Sequence, residues 1–169
     1  MFRAGEAAED KYENGCKDIE EKGLEAGDVL VGISAAGGAK YVLGAMESAR
    51  KLGCVTVALS SNPNAKIFDA ADISIFTDTG AEVLTGSTRL KAGTAQKIVL
   101  NTLTTCAMVK TGKVYENMMI NLAPSNEKLK ARVVRIVKEI LECDEIEAVR
   151  LLDENAWVMK DAIKSAKGE

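Results

Sequence analysis

The chain has no histidine, which excludes every imidazole-based triad, His metal site and imidazole acid/base within it. Proton transfer must then fall to carboxylates, Lys, Tyr or Cys. The four cysteines, Cys16, Cys54, Cys106 and Cys143, stand far apart with no CxxC pair, so neither a zinc knuckle nor a dithiol redox motif is encoded. They read as reduced thiols. Long apolar runs are also missing: Val29 to Ser34 and Val55 to Leu59 are far too short to span a bilayer, and no charged-then-apolar N-terminal signal precedes them. A net charge of −3 and a pI near 5.2 leave no positive field to attract nucleic acid or an anionic membrane. No nucleic acid, membrane, metal or cofactor is expected, and the location expected is cytoplasmic.

What is present suits a folded protein. The 169 residues are 47% hydrophobic and 28% charged with only two prolines, the composition of one domain, or one with a small appendage, able to bury an ordinary core. The segment from Phe2 to Lys22, rich in Glu, Ala and Lys, predicts a helix limited by Gly15 and Gly23. Asp28 to Ser34 and Val55 to Ser60 are short apolar runs, and Ile73 to Thr77 is a third; each predicts a buried parallel strand. Between them, Tyr41 to Leu52 predicts an amphipathic helix stopped at Gly53, Ser61 to Asn64 a turn, and Ile67 to Ala71 a short helix. Strands alternating with helices imply a parallel sheet covered on both faces. The fold class is α/β.

Ala92 to Thr111 predicts a long, largely buried helix through Ile98, Leu100, Leu103 and Met108. Beyond Pro124, Asn126 to Leu141, Asp144 to Asp153 and Asn155 to Lys167 predict charged amphipathic helices, with Asp144 and Asn155 as N-caps. The expected domains are 1–125 and a helical module, 126–169. Three strands are few for a doubly wound sheet, and the chain opens inside what reads as a helix joining two strands, so upstream strands are expected to be absent; the alternative is a small sheet with one edge covered by helix.

Three segments could carry chemistry. Ser34-Ala-Ala-Gly-Gly-Ala-Lys-Tyr41 lies between strand and helix, where open α/β sheets bind ligands. Its small residues let backbone N–H groups approach an anion at a helix N-terminus; the alternative is a tight βα turn. The run Gly80 to Lys97 concentrates Thr85, Ser87, Thr88, Arg89 and Lys91 just before a helix, which suits a phosphorylated or polyhydroxylated ligand; the alternative is a capped helix start. Glu6 and Glu9 share a helix face by i,i+3 spacing, and a partly desolvated carboxylate there could exchange a proton with a sugar; the alternative is a solvated acidic helix.

The run Gly80-Ala-Glu-Val-Leu-Thr-Gly-Ser-Thr-Arg-Leu-Lys-Ala-Gly-Thr-Ala-Gln-Lys97 resembles the signature of the N-acetylmuramic acid 6-phosphate etherases and the related glucokinase regulatory proteins, both built on sugar isomerase (SIS) domains. Gly5-Glu-Ala-Ala-Glu-Asp10, Ser61-Asn-Pro63, Gly112-Lys-Val-Tyr115 and Asn126-Glu-Lys-Leu129 extend the resemblance over nearly the whole chain. It implies a partial SIS-type sheet flanked by helices, with the helical tail as the family's C-terminal module. It also implies a metal-free carbon–oxygen lyase that converts N-acetylmuramic acid 6-phosphate and water to N-acetylglucosamine 6-phosphate and D-lactate in cell-wall recycling. The proton at C2 is removed, acidified by the C1 aldehyde of the opened sugar; lactate leaves C3; water adds to the unsaturated intermediate.

By the same resemblance, one family glutamate falls on Glu9, and Ser34, Gly37, Glu82, Ser87, Thr88, Arg89 and Lys91 are expected to bind the sugar phosphate. The other family glutamate follows a Gly-Thr-Ser-Gly loop in an upstream segment with no counterpart here. The family's Ser-x-Ser-Gly-x-Thr loop reads Ser34-Ala-Ala36-Gly-Gly-Ala39. Each lost hydroxyl bond to phosphate costs about 1.5–3 kcal/mol, tenfold or more in affinity. A homo-oligomer or a separate N-terminal SIS half is the expected partner, and a non-catalytic sugar-phosphate sensor or interaction module is the alternative function.

Overall fold

The computed structural model describes residues 8–168. Two compact units divide the chain between Asn101 and Thr102. The first contains α1 (Tyr12–Lys22), β1 (Val29–Ile33), α2 (Lys40–Lys51), β2 (Val55–Ser60), a 3-10 turn at Lys66–Ala70, β3 (Ile73–Phe76) and the start of α3 (Lys91–Lys110). Its three strands form one parallel sheet in the order β1-β2-β3. The α/β class and the parallel sheet with flanking helices agree with the sequence reading.

On one sheet face Leu30 and Ala58 pack with Met46, Val42 and Leu43 of α2 and with Ala65, Ile67 and Ala70. Gly32 leaves room for Met46, whose Sδ would lie 2.3 Å from an added Cβ. The pleat sends Val29, Val31, Ile33, Val55, Val57, Leu59, Ile73 and Ile75 to the opposite face. That face is entirely apolar, yet Val29 is 61% and Ile73 53% exposed.

Helix α1 starts at Tyr12, and the part of the expected helix around Phe2 lies outside the described residues. Glu9 and Asp10 form a turn before α1; the expected pairing of Glu9 with Glu6 lies outside the described residues. Gly23 ends the helix in the left-handed conformation, but Gly15 sits within it. There it lets α1 meet α2: a Cβ on Gly15 would lie 2.0 Å from the Tyr41 carbonyl oxygen, and one on Gly44 2.2 Å from that of Tyr12. The crossing is pinned on both sides, Tyr12 donating to Glu47 at 2.5 Å and Tyr41 to Asp18 at 2.6 Å. These hydrogen bonds raise both phenol pKa values above the ordinary tyrosine range.

The expectation of a largely buried α3 is corrected: Ala92 is its only buried residue, and Ile98 is 61% exposed. Apolar side chains lie all round this helix, so its composition suggests burial without marking a face to be covered.

The second unit adds a hairpin of β4 (Val114–Tyr115) and β5 (Met118–Met119), then α4 (Glu127–Leu141), α5 (Glu145–Glu154) and α6 (Met159–Lys167). Val133, Val137, Ala148, Leu152, Met159 and Ala162 are central to its core. Asn126 and Asp144 cap α4 and α5 by accepting from Leu129 and Glu147 N–H groups. Asn155 is not the cap of α6: its side chain donates back to the Leu151 carbonyl at 2.9 Å, and α6 starts after Val158. Among the described residues no helix is long and apolar enough to cross a membrane, and the four cysteines are unpaired.

Candidate functional site

Parallel strands end together at one edge of a sheet, and loops leaving that edge can share a ligand. The loop after β1 is Ser34 to Ala39. Gly37 N–H donates to both the carbonyl and the Oγ of Ser34, each at 3.0 Å, which draws two predicted site residues into one tight turn. Gly37 has φ +77, and a Cβ there would lie 2.1 Å from the Ala65 Cβ, so both conformation and space require glycine.

Glu9 reaches this loop through the backbone. Its carbonyl accepts from Tyr41 N–H at 3.0 Å, satisfying one open donor in the first turn of α2. The turn carrying the Glu9 carboxylate is therefore tied to the helix that follows the loop. Glu9 itself is exposed.

The Gly80–Lys97 segment follows β3, two strands and so about 10 Å from β1 at ordinary strand spacing. Both oxygens of Glu82 are engaged there, accepting from Lys91 and Ala92 N–H groups at 3.0 Å each. Glu82 thus caps α3, and those two N–H bonds, with the Lys91 charge nearby, hold its carboxyl below the usual range. Thr88, Arg89 and Lys91 are exposed and Ser87 half-buried. Arg89 and Lys91 line a shallow depression with Leu90, Thr94, Ala95 and Ile98. Among the described residues, no hydrogen bond or ion pair joins these side chains to the Ser34–Ala39 loop.

Sequence reasoning missed Ser60 and Asn62 as functional groups. Ser60 Oγ donates to the Ala35 carbonyl at 3.1 Å, and Asn62 Nδ2 to the Ala36 carbonyl at 2.9 Å. Their sequence signal was the polar stretch at the end of a buried strand, read as a turn, together with the place of Asn62 in the Ser61-Asn-Pro63 stretch of the resemblance. Ser61 and Thr77 hydroxyls, 2.8 Å apart, extend this polar edge. Asp72 anchors the other end of β2, accepting from Thr56 N–H and Oγ–H at 2.8 Å each. Those bonds, with Arg50 nearby, lower its pKa. Among the described residues no group of three or more His, Cys, Asp or Glu side chains is arranged to hold a metal.

The signs of these carboxylate shifts predict an acid-sensitive fold. A pKa lowered on folding contributes stability above the ordinary carboxylate range, near pH 4, and loses it as pH falls through the folded value. Melting temperatures of wild type and Glu82→Gln are expected to differ most above about pH 5 and to converge toward pH 3. A pH-independent gap would show that Glu82 contributes nothing through its charge.

No protein-family model matches the chain. It is 49% identical over 163 residues to an N-acetylmuramic acid 6-phosphate etherase of Symbiobacterium thermophilum, covering 96% of this chain and 54% of that protein. To the corresponding etherase of Actinobacillus pleuropneumoniae serotype 5b it is 53% identical over 139 residues, 82% of this chain and 46% of the relative. To N-acetylmuramic acid 6-phosphate etherase 2 of Vibrio cholerae it is 50% identical over 155 residues, 92% and 50%. The chain spans about half the length of the curated relatives it matches. Identity at this level runs across nearly all of the chain's residues, so the chain is similar throughout to the C-terminal part of N-acetylmuramic acid 6-phosphate etherases.

Proposed function

We propose that the chain supplies the C-terminal part of a sugar-phosphate site that cleaves the lactyl ether of N-acetylmuramic acid 6-phosphate. The observation that carries this reading is the bond from Tyr41 N–H to the Glu9 carbonyl, which ties a carboxylate-bearing turn to the helix behind the glycine loop. In this reading the loop of Ser34 and Gly37 holds the phosphate. Glu9 moves a proton at C2 or at the water that replaces lactate, without a cofactor. Ser87, Thr88, Arg89 and Lys91 contact the sugar or its phosphate from the β3 side, while Glu82 acts by holding the start of α3.

Residues 1–125 form the partial SIS domain and 126–169 its helical module, in a cytoplasmic protein. The exposed apolar side chains of Val29 and Ile73 on the second sheet face and of Leu103, Met108 and Val109 on α3 support a polypeptide partner, either an N-terminal SIS half or a second copy. Such a partner would also desolvate Glu9 and bring the second carboxylate.

A sensor without catalysis is favoured by one observation: Ala36 and Ala39 offer no hydroxyl to a phosphate. Calorimetric titration with N-acetylmuramic acid, N-acetylglucosamine and fructose 6-phosphates separates the readings. The proposal expects binding of the first two, with D-lactate released from the first once the partner half is supplied. Binding without lactate supports the sensor, and no heat with any of the three defeats both.

A further inference from the structure

A peptide unit is planar, with the C=O of one residue and the N–H of the next on opposite sides. Whatever holds a carbonyl of the Ser34–Ala39 loop therefore aims the following N–H. Three consecutive carbonyls are held, two from the end of β2 and one from the 3-10 turn. Ala35 O accepts from Ser60 Oγ at 3.1 Å and from Ser61 N–H at 3.2 Å; Gly37 O accepts from Ile67 N–H at 3.2 Å. The Ala36 N–H is consequently turned away from the end of β2, and the Gly38 N–H away from the 3-10 turn.

The middle peptide differs. Its carbonyl, on Ala36, accepts from the Asn62 side chain at 2.9 Å, and its N–H, on Gly37, is shared between Ser34 Oγ and the Ser34 carbonyl, each at 3.0 Å. A serine hydroxyl has one proton and two lone pairs. With a lone pair taken by Gly37, the proton is left to be donated elsewhere.

Asn62 is itself fixed, its Oδ1 accepting from Asn64 N–H at 3.0 Å and its own N–H donating to Ser60 Oγ at 3.1 Å. We infer that Asn62 is a positioning residue for the anion loop: through the Ala36–Gly37 peptide it orients the Ser34 hydroxyl as a donor to the bound phosphate. The loop is thereby a largely main-chain receptor that works without hydroxyls at residues 36 and 39. This rests on the loop being the phosphate site.

The test is a double-mutant cycle on the full chain, read as affinity for inorganic phosphate and for N-acetylglucosamine 6-phosphate, with amide resonances followed by NMR. Asn62→Ser keeps an acceptor for the Asn64 turn but is too short to reach the Ala36 carbonyl. It is expected to weaken binding about tenfold, the scale of one hydrogen bond to a charged group, as is Ser34→Ala. The double variant should be no more than about twofold weaker than Ser34→Ala alone. Asn62→Ala serves if Asn62→Ser does not fold. Ser61→Ala, whose hydroxyl meets Thr77 and no loop carbonyl, should bind as wild type does. In wild type the Ala36 and Gly38 amides should shift on saturation. Unchanged affinity in Asn62→Ser, or losses that simply multiply with those of Ser34→Ala, would overturn the relay and leave the site reading intact. No response of wild type to either probe would overturn the site reading and the relay together.

Discussion

Changing Glu9 to glutamine is expected to reduce D-lactate release by about 10²- to 10⁴-fold, the usual contribution of a positioned acid/base, in an assay containing the partner half. The amide keeps the size of the side chain and leaves the Glu9 carbonyl free to accept from Tyr41 N–H. The variant should therefore fold and bind substrate as wild type does. The loss belongs in kcat, with KM nearly unchanged, because a proton transfer is made only in the transition state. Equal turnover by the variant would remove Glu9 from the chemistry and leave the turn with a purely structural role.

Gly15→Ala should lower the melting temperature by about 4–8 °C, a loss of roughly 2 kcal/mol for a chain of this size. Alanine is the better helix former by about 1 kcal/mol, and Gly15 lies inside α1, so propensity alone predicts stabilisation. Packing decides the sign. The new methyl would sit 2.0 Å from the Tyr41 carbonyl oxygen and 2.8 Å from Ala45 N, and backbone cannot step aside as a side chain can. Forcing atoms into such a contact costs about 3 kcal/mol, the upper part of the overpacking range. The two helices must separate, taking with them the Tyr12–Glu47 and Tyr41–Asp18 bonds and the tie between Glu9 and α2. Gly38→Ala is the comparison: an added Cβ there meets nothing within 4 Å and φ is not positive, so its effect on stability should stay within about 0.5 kcal/mol. A stable Gly15→Ala would mean that the α1–α2 crossing is looser than its geometry implies.

Features with a short-range cause were legible in the sequence. The strands β1 to β3 follow from apolar runs between turn signals. Asp144 is a cap because an acceptor side chain precedes a helical pattern. What stayed hidden depends on partners distant in sequence. Gly15 reads as a helix limit until Gly44 and Tyr41 are opposite it. Glu82 precedes the first residue of α3 by nine positions, outside any capping-box spacing, so its role as a cap has no local signature. The hold of Ser60 and Asn62 on the Ser34–Ala39 loop spans 25 and 26 residues, and hydrogen bonds of that range leave no periodicity. Asn155 misled because an N-cap residue type also suits a helix end, where its amide turned back to Leu151. The exposure of α3 is the clearest case: its composition is that of a covered helix, and the cover is not among the described residues.

The most direct measurement is D-lactate release from N-acetylmuramic acid 6-phosphate by the chain mixed with the N-terminal half of one of its etherase relatives. The account predicts lactate from the mixture, little from either piece alone, and a sharp loss with Glu9→Gln. Phosphosugar binding by a well-formed mixture that never releases lactate would contradict catalysis and leave a sensor built on an etherase fold.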